Sequence, residues 1–207
     1  MSHLKFWSNC LRVWSVWFVL VPALAWAEPD LSPPQLIVKQ TSERLQAAMK
    51  ENPPAGNYER ASQIVTEILE PHVDFVRVSA LVLGKHWKRA TNDQKKRFMK
   101  EFRDLLVRTY AVAFSEYSDW MINYIPLKFR PEDKKVYVKT EILRSGAPPV
   151  SVDYRMVRKN DSWKVYDVVI EGISFITNYR TTFKNEVARS GSLDSVIERL
   201  AQRNAPI

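Results

Sequence analysis

The chain has 207 residues, nearly half of them hydrophobic, and a net charge of +8 at pH 7, which fits one domain with a sizeable interior. Its single cysteine, Cys10, excludes a disulfide framework within the chain. The basic balance leaves nucleic acid, anionic lipid headgroups and acidic protein surfaces as partners.

The first 30 residues, "MSHLKFWSNCLRVWSVWFVLVPALAWAEPD", place Lys5 and Arg12 ahead of an apolar run from Val13 to Leu24 and then "AWA" at Ala25 to Ala27. Basic flank, short apolar stretch and small-residue cleavage site together read as a signal peptide over residues 1–27. The run is too short to span a bilayer comfortably, and no lipobox-like sequence precedes Cys10. Residues 28–207 are then a single exported domain without cysteine, held together by its core alone. For such a chain nucleic acid is the least expected of the three partners.

The pattern that follows is helical. "SPPQLIVKQTSERLQAAMK" (Ser32 to Lys50) opens with a cap-like serine and two prolines suited to a first turn, and sets Leu36, Ile37, Leu45 and Met49 on a stripe. "YERASQIVTEILEPHV" supplies a second helix that Pro71 stops, with Ile64, Val65, Ile68 and Leu69 inward. A third carries Phe75, Val78, Val82 and Leu83 and closes on Gly84 as a left-handed residue. "TNDQ" at Thr91 to Gln94 matches a capping box and starts the longest helix, whose apolar residues from Phe98 to Tyr117 exceed one packing stripe.

From Lys134 onward the period becomes two. "KKVYVKTEIL", "PVSVDYRMVRK" and "SWKVYDVVIEG" are three strands joined by "RSGAPP" and "KNDS", short enough for an antiparallel meander. "YIPLKF" before them is a candidate fourth. A helix from Ile173 to about Arg189, stopped by Gly191, and a short last one over "SLDSVIERLAQR" complete the chain.

Pairing the last hairpin about Asn160 and Asp161 sets Arg158 opposite Trp163, Met156 opposite Val165, Tyr154 opposite Asp167 and Val152 opposite Val169. One face then carries Val150, Val152, Tyr154, Met156, Val165 and Val169. The other carries Asp153, Arg155 and Lys164, but also Tyr166, Val168 and Ile170. Helices must cover the first face, and the long helix and the Ile173 helix are the expected lids. Several helices and a sheet face all more apolar than pairwise packing requires point to an apolar cavity between them. Its expected lining is Tyr110, Phe114, Val152, Tyr154, Met156, Val169 and Ile173.

Two long segments carry a family resemblance. Asp74 to Phe114, with "DF" before "LGKHW" and then "TYA", and Trp163 to Leu200, with "VYDVVIEGIS" and "NYRTTF", resemble the MlaC family of periplasmic phospholipid-binding proteins, also called toluene-tolerance proteins. The resemblance implies an α+β fold with a curved antiparallel sheet of NTF2 type packed against several helices around an internal apolar cavity. It implies a periplasmic carrier of glycerophospholipid that needs no cofactor and acts as a monomer. Such a carrier shuttles between an outer-membrane lipoprotein–porin complex and an inner-membrane ABC transporter with MCE domains, maintaining outer-membrane lipid asymmetry. Tyr110 of "TYA" and Val152 fall where the family's lipid pocket is lined.

Other chemistry has less support in the residues. His72 and His86, the two histidines after the leader, stand in no metal-ligand pattern. NTF2-like folds also host small-molecule enzymes, so Asp167 as an acid/base is the rival reading. The structural role expected for Asp167 is to accept a bond from Tyr154, with Glu171 near the following helix N-terminus. The basic runs around "KHWKR" and "QKKR" are either solvated helix ends or steering charges for acidic partners. Arg180 is a candidate neighbour of a headgroup phosphate.

Overall fold

The computed structural model describes residues 30–51, 58–116 and 120–205, without the side chains of 58, 61 and 111–116. Leu31–Ile207 forms a unit of its own. In chain order it contains α1 (Pro33–Glu51), α2 (Tyr58–Leu69), a 3-10 turn (Glu70–His72), α3 (Phe75–Leu83), α4 (Lys85–Arg89) and α5 (Asn92–Glu116). The strands β1 (Met121–Tyr124), β2 (Lys135–Arg144), β3 (Ala147–Lys159), β4 (Ser162–Ile170) and β5 (Ile173–Ser174) follow, then α6 (Phe175–Ser190) and α7 (Leu193–Asn204).

Local chemistry sets most of these ends. Thr91 Oγ1 accepts from the Gln94 N–H at 3.1 Å and Gln94 Oε1 accepts from the Thr91 N–H at 2.9 Å, completing the capping box that starts α5. Ser174 and Ser192 cap α6 and α7 through the N–H groups of Thr177 and Ser195. Gly191 ends α6 in the left-handed conformation. Gly84 also has positive φ (54°), but its ψ of −116° lies outside the left-handed helical region expected for it. The guanidinium of Arg180 lies against this turn, 3.1 Å from where a Cβ at Gly84 would stand. A side chain at Gly84 is therefore opposed twice, by backbone and by Arg180.

The sheet is an antiparallel meander in the order β1-β2-β3-β4-β5. Its first strand is Met121–Tyr124, just ahead of the segment expected, because Pro126 follows. Asn160 and Asp161 both have positive φ, as the two-residue β3–β4 turn demands, and they set Arg158 opposite Trp163 and Met156 opposite Val165. One residue further on, the register changes. Arg155 stands opposite Asp167, so Tyr166 is an extra residue in β4.

The bulge corrects the expected faces. Tyr154 now pairs with Val168 and Val152 with Ile170, which brings Val168 and Ile170 to the face of Val152 and Tyr154 and turns Val169 to the other. At the β3–β4 turn end this face is closed by α1, whose Val38 packs with Val136, Val138, Met156 and Trp163. The α1 stripe accordingly runs Val38, Thr41, Leu45, Met49, and Leu36 is 39% exposed rather than inward.

Buried apolar residues gather in three clusters among the described residues. One joins α3, α5, α6 and α7 around Phe98, Phe102 and Phe183, whose rings meet at 5.1–5.5 Å. A second joins α1, α2 and α5 through Leu45, Met49, Ile64, Ile68 and Val107. The third is the α1–sheet cluster above. The long α5 thus serves two clusters, which explains why its apolar surface exceeds one stripe. It packs on α2, α3 and α7, and is not the direct cover of the sheet that its length suggests.

Candidate functional site

A domain of this size ordinarily gathers its buried side chains into one contiguous core. Here the three clusters stand around a cavity of about 400 Å³, and each lends residues to its wall: Val78 from the first, Leu45, Val65 and Val107 from the second, Val38 from the third. The sheet adds Ile122, Ile142, Val152, Tyr154, Val165, Val168 and Ile170. Phe75 of α3, Leu106 and Tyr110 of α5 and Phe175 and Ile176 of α6 complete an almost wholly apolar lining. The volume lies within the range of ligand pockets.

Of the residues expected to line it, Tyr110, Val152 and Tyr154 do. Phe114 belongs to α5, one turn beyond Tyr110, but its side chain lies outside the described residues. The other three are placed elsewhere. Met156 is fully buried in the α1–sheet cluster, at the closed end of the same face. Val169 is buried on the opposite face because of the bulge. Ile173 pairs with Ile170 across the β4–β5 hairpin and is 66% exposed, outside the wall.

Val168 and Ile170 are the residues that sequence reasoning turned the wrong way. Their signal was present, since three apolar side chains on a strand's supposedly polar face suggest a slipped period. The stripes of α1 and α2 were legible, but that Leu45, Val65 and Ile122 of β1 meet at one space was not, because only packing brings them together.

Polar groups in the wall are few. The Tyr110 ring lies 5.0 Å from that of Phe175. Burial, with Tyr110 contributing, raises the Tyr179 phenol above its ordinary range. Burial alone pushes the Tyr154 phenol up to about 12. Both phenols are therefore neutral at any physiological pH. Arg103 reaches both oxygens of Glu70 at 3.3 Å, a pair that cancels the charges at that edge of the wall. His72 has its pKa lowered, first by burial and then by Lys164 and Arg44.

Asp167 is 4% exposed and does not meet Tyr154. One of its oxygens accepts from Arg155 at 3.0 Å and from Ser174 Oγ at 2.7 Å, and the other accepts from the Ile176 N–H at 3.0 Å. These bonds fasten β3, β4 and the start of α6 to one carboxylate. Glu171 is not at the helix N-terminus; its carboxylate accepts from the Ser151 N–H across the sheet. Arg180 lies at the Gly84 turn, away from the cavity wall. Among the described residues no three His, Cys, Asp or Glu side chains gather as a metal site would require.

Fold and site together define a class of protein: an α+β shell of helices over a curved antiparallel sheet, hollow and apolar inside. The family model described as "MlaC protein" matches residues 39–202, and the chain belongs to that family. It is 28% identical to the intermembrane phospholipid transport system binding protein MlaC of Haemophilus influenzae, over 98% of this chain and 94% of that protein. It is 27% identical to the toluene tolerance protein ttg2D of Pseudomonas putida, over 80% of this chain and 78% of that one. A phospholipid-binding protein from Ralstonia solanacearum, solved in complex with a phospholipid, superposes with a TM-score of 0.78 at 29% identity, covering 84% of this chain and 97% of that one.

Proposed function

We propose that this protein carries glycerophospholipid in the central cavity, its acyl chains inside. The observation that supports this most is the division of the core into three clusters around one apolar hollow. A two-chain lipid exposes about thirty methylenes to water at about 0.8 kcal/mol each, roughly 24 kcal/mol as an upper figure, which only enclosure offsets. A cavity as apolar as a bilayer makes loading nearly neutral in free energy, so partners can both fill and empty it.

The carrier works in the periplasm, delivered there by removal of residues 1–27, and it acts as a monomer formed by residues 28–207. Its partners are an outer-membrane lipoprotein–porin complex and an inner-membrane ABC transporter with MCE domains, and the traffic maintains outer-membrane lipid asymmetry. The names of its relatives, an intermembrane phospholipid transport binding protein and a phospholipid-bound structure, support this reading. The role is not enzymatic. Asp167, the strongest acid/base candidate, has both oxygens engaged in holding strands and helix together.

Native mass spectrometry of protein purified without detergent tests the proposal. The expected spectrum shows a mass increment that lipid extraction identifies as glycerophospholipid. Protein that arrives empty and takes up no lipid from phospholipid vesicles would overturn it.

A further inference from the structure

The cavity wall reaches the surface along one row of the sheet. Val152 of β3 stands opposite Ile170 of β4, and Ile170 stands opposite Ile173 of β5, so the three side chains lie side by side on the cavity face. Their exposure rises in step, from 5% at Val152 to 36% at Ile170 and 66% at Ile173. Val152 and Ile170 line the cavity, and Ile173 is the next residue outward. No strand follows β5 in the sheet, so the row ends at its edge. A single exposed isoleucine means little. Continuity distinguishes this one. Of the exposed large apolar side chains among the described residues, Leu36, Val76, Met121 and Tyr137 neither line the cavity nor pair across the sheet with a residue that does.

The β4–β5 turn holds the outer end of the row in place. Glu171 and Gly172 both have positive φ (48° and 78°), as a tight two-residue hairpin requires, although this is uncommon for a residue that carries a Cβ. Glu171 is fastened to β3 twice: its N–H donates to the Ser151 carbonyl at 3.0 Å, and its carboxylate accepts from the Ser151 N–H. Ser174, which follows Ile173, donates to Asp167 at 2.7 Å. Ile173 is therefore presented to water by a hairpin braced on both sides.

We propose that Val152, Ile170 and Ile173 form a ramp over which an acyl chain of the lipid enters and leaves the cavity across the β5 edge, with Ile173 as its outer step. The inference rests on the carrier reading and says where the lipid crosses. A chain leaving an apolar hollow meets water before it reaches its destination, and each methylene exposed on the way raises the barrier. An apolar side chain on the path shortens that exposure. Because Ile173 stands outside the wall, it touches the chain in transit and not in the bound state, so it acts on rate and not on affinity.

The ramp is tested by timing the uptake of pyrene-labelled phosphatidylcholine from donor vesicles and, separately, its release to unlabelled phosphatidylcholine vesicles. The proteins compared are the wild type, I173S, I173L and M121S, each with its lipid content at equilibrium counted by mass spectrometry. Met121 is 69% exposed at the opposite edge of the sheet, and alternation turns it away from the face of Ile122. I173S is expected to slow uptake and release by the same factor, about three- to tenfold, with its lipid content unchanged. I173L should restore the wild-type rates, and M121S should keep them. Wild-type rates in I173S overturn the ramp and leave the carrier reading intact. So does equal slowing in M121S, which would trace the effect to general adhesion to vesicles, or a reduced lipid content in I173S, which would make Ile173 part of the wall. A wild-type protein that arrives empty and takes up no lipid overturns the carrier reading and the ramp with it.

Discussion

Arg155 and Asp167 face each other across β3 and β4, one residue out of the register that Met156 and Val165 set beside them. The bulge at Tyr166 that separates the two registers rotates the end of β4, so that Val168 and Ile170 enter the cavity wall. The carboxylate that marks the shift also receives Ser174 and the Ile176 N–H, which anchors α6 where it closes the cavity. One bonded cluster therefore fixes both the strand's twist and the helix that closes against it.

Asp167→Ala should destabilise the fold by about 3 kcal/mol, toward the low end for breaking a buried pair because Arg155 is 37% exposed. The measurement is urea unfolding monitored by circular dichroism. An unfolding midpoint left where it was would count against this anchoring role.

A charge placed in the wall should expel lipid without unfolding the protein. Val152→Glu and Ile170→Glu, paired on the cavity face, are each expected to reduce co-purified phospholipid at least about tenfold, since an ion in an apolar site is costly. Ile173→Glu, on the exposed arm of the hairpin, is the control and should keep its lipid. Equal lipid content in all three would count against the placement of the cavity.

Phe98 separates stability from binding. It is fully buried and touches Phe102 and Phe183, but it does not line the cavity. Phe98→Ala should cost about 3–5 kcal/mol and leave the lipid per folded molecule unchanged. Denaturant midpoints paired with lipid extraction check both halves.

The lowered pKa of His72 makes stability depend on pH in a known direction. In the unfolded chain the ring binds a proton near pH 6.5, whereas in the fold it resists protonation to a lower pH. The unfolded state therefore binds more protons in that window. Its contribution is complete above about pH 6.5 and is lost as pH falls from there toward the lowered value. Thermal midpoints of the lipid-free protein between pH 7.5 and 5 should fall less in His72→Gln than in the wild type. Because His86 is shifted the same way, the difference between the two proteins isolates His72.

Sequence alone determined the features whose causes lie within a few residues. The Thr91–Gln94 box, the stop at Gly191, the Asn160–Asp161 turn and the alternation of β3 each depend on hydrogen bonds or torsions local to the chain. The ordered motifs in Asp74 to Phe114 and Trp163 to Leu200 carried the family for the same reason, since they can be read without folding anything.

Tertiary structure decided where the hollow lies and what faces it. Alternation counts residues evenly, so it carried Val169 inward and Val168 outward straight through an unseen bulge whose anchor, Asp167, finds its partners on β3 and at the start of α6. Met156 satisfied the pattern yet ended under α1, because which helix covers which end of a sheet depends on the packing of residues more than a hundred positions apart. Periodicity assigns a side chain to a face, but only the fold determines whether that face meets another side chain or an open cavity.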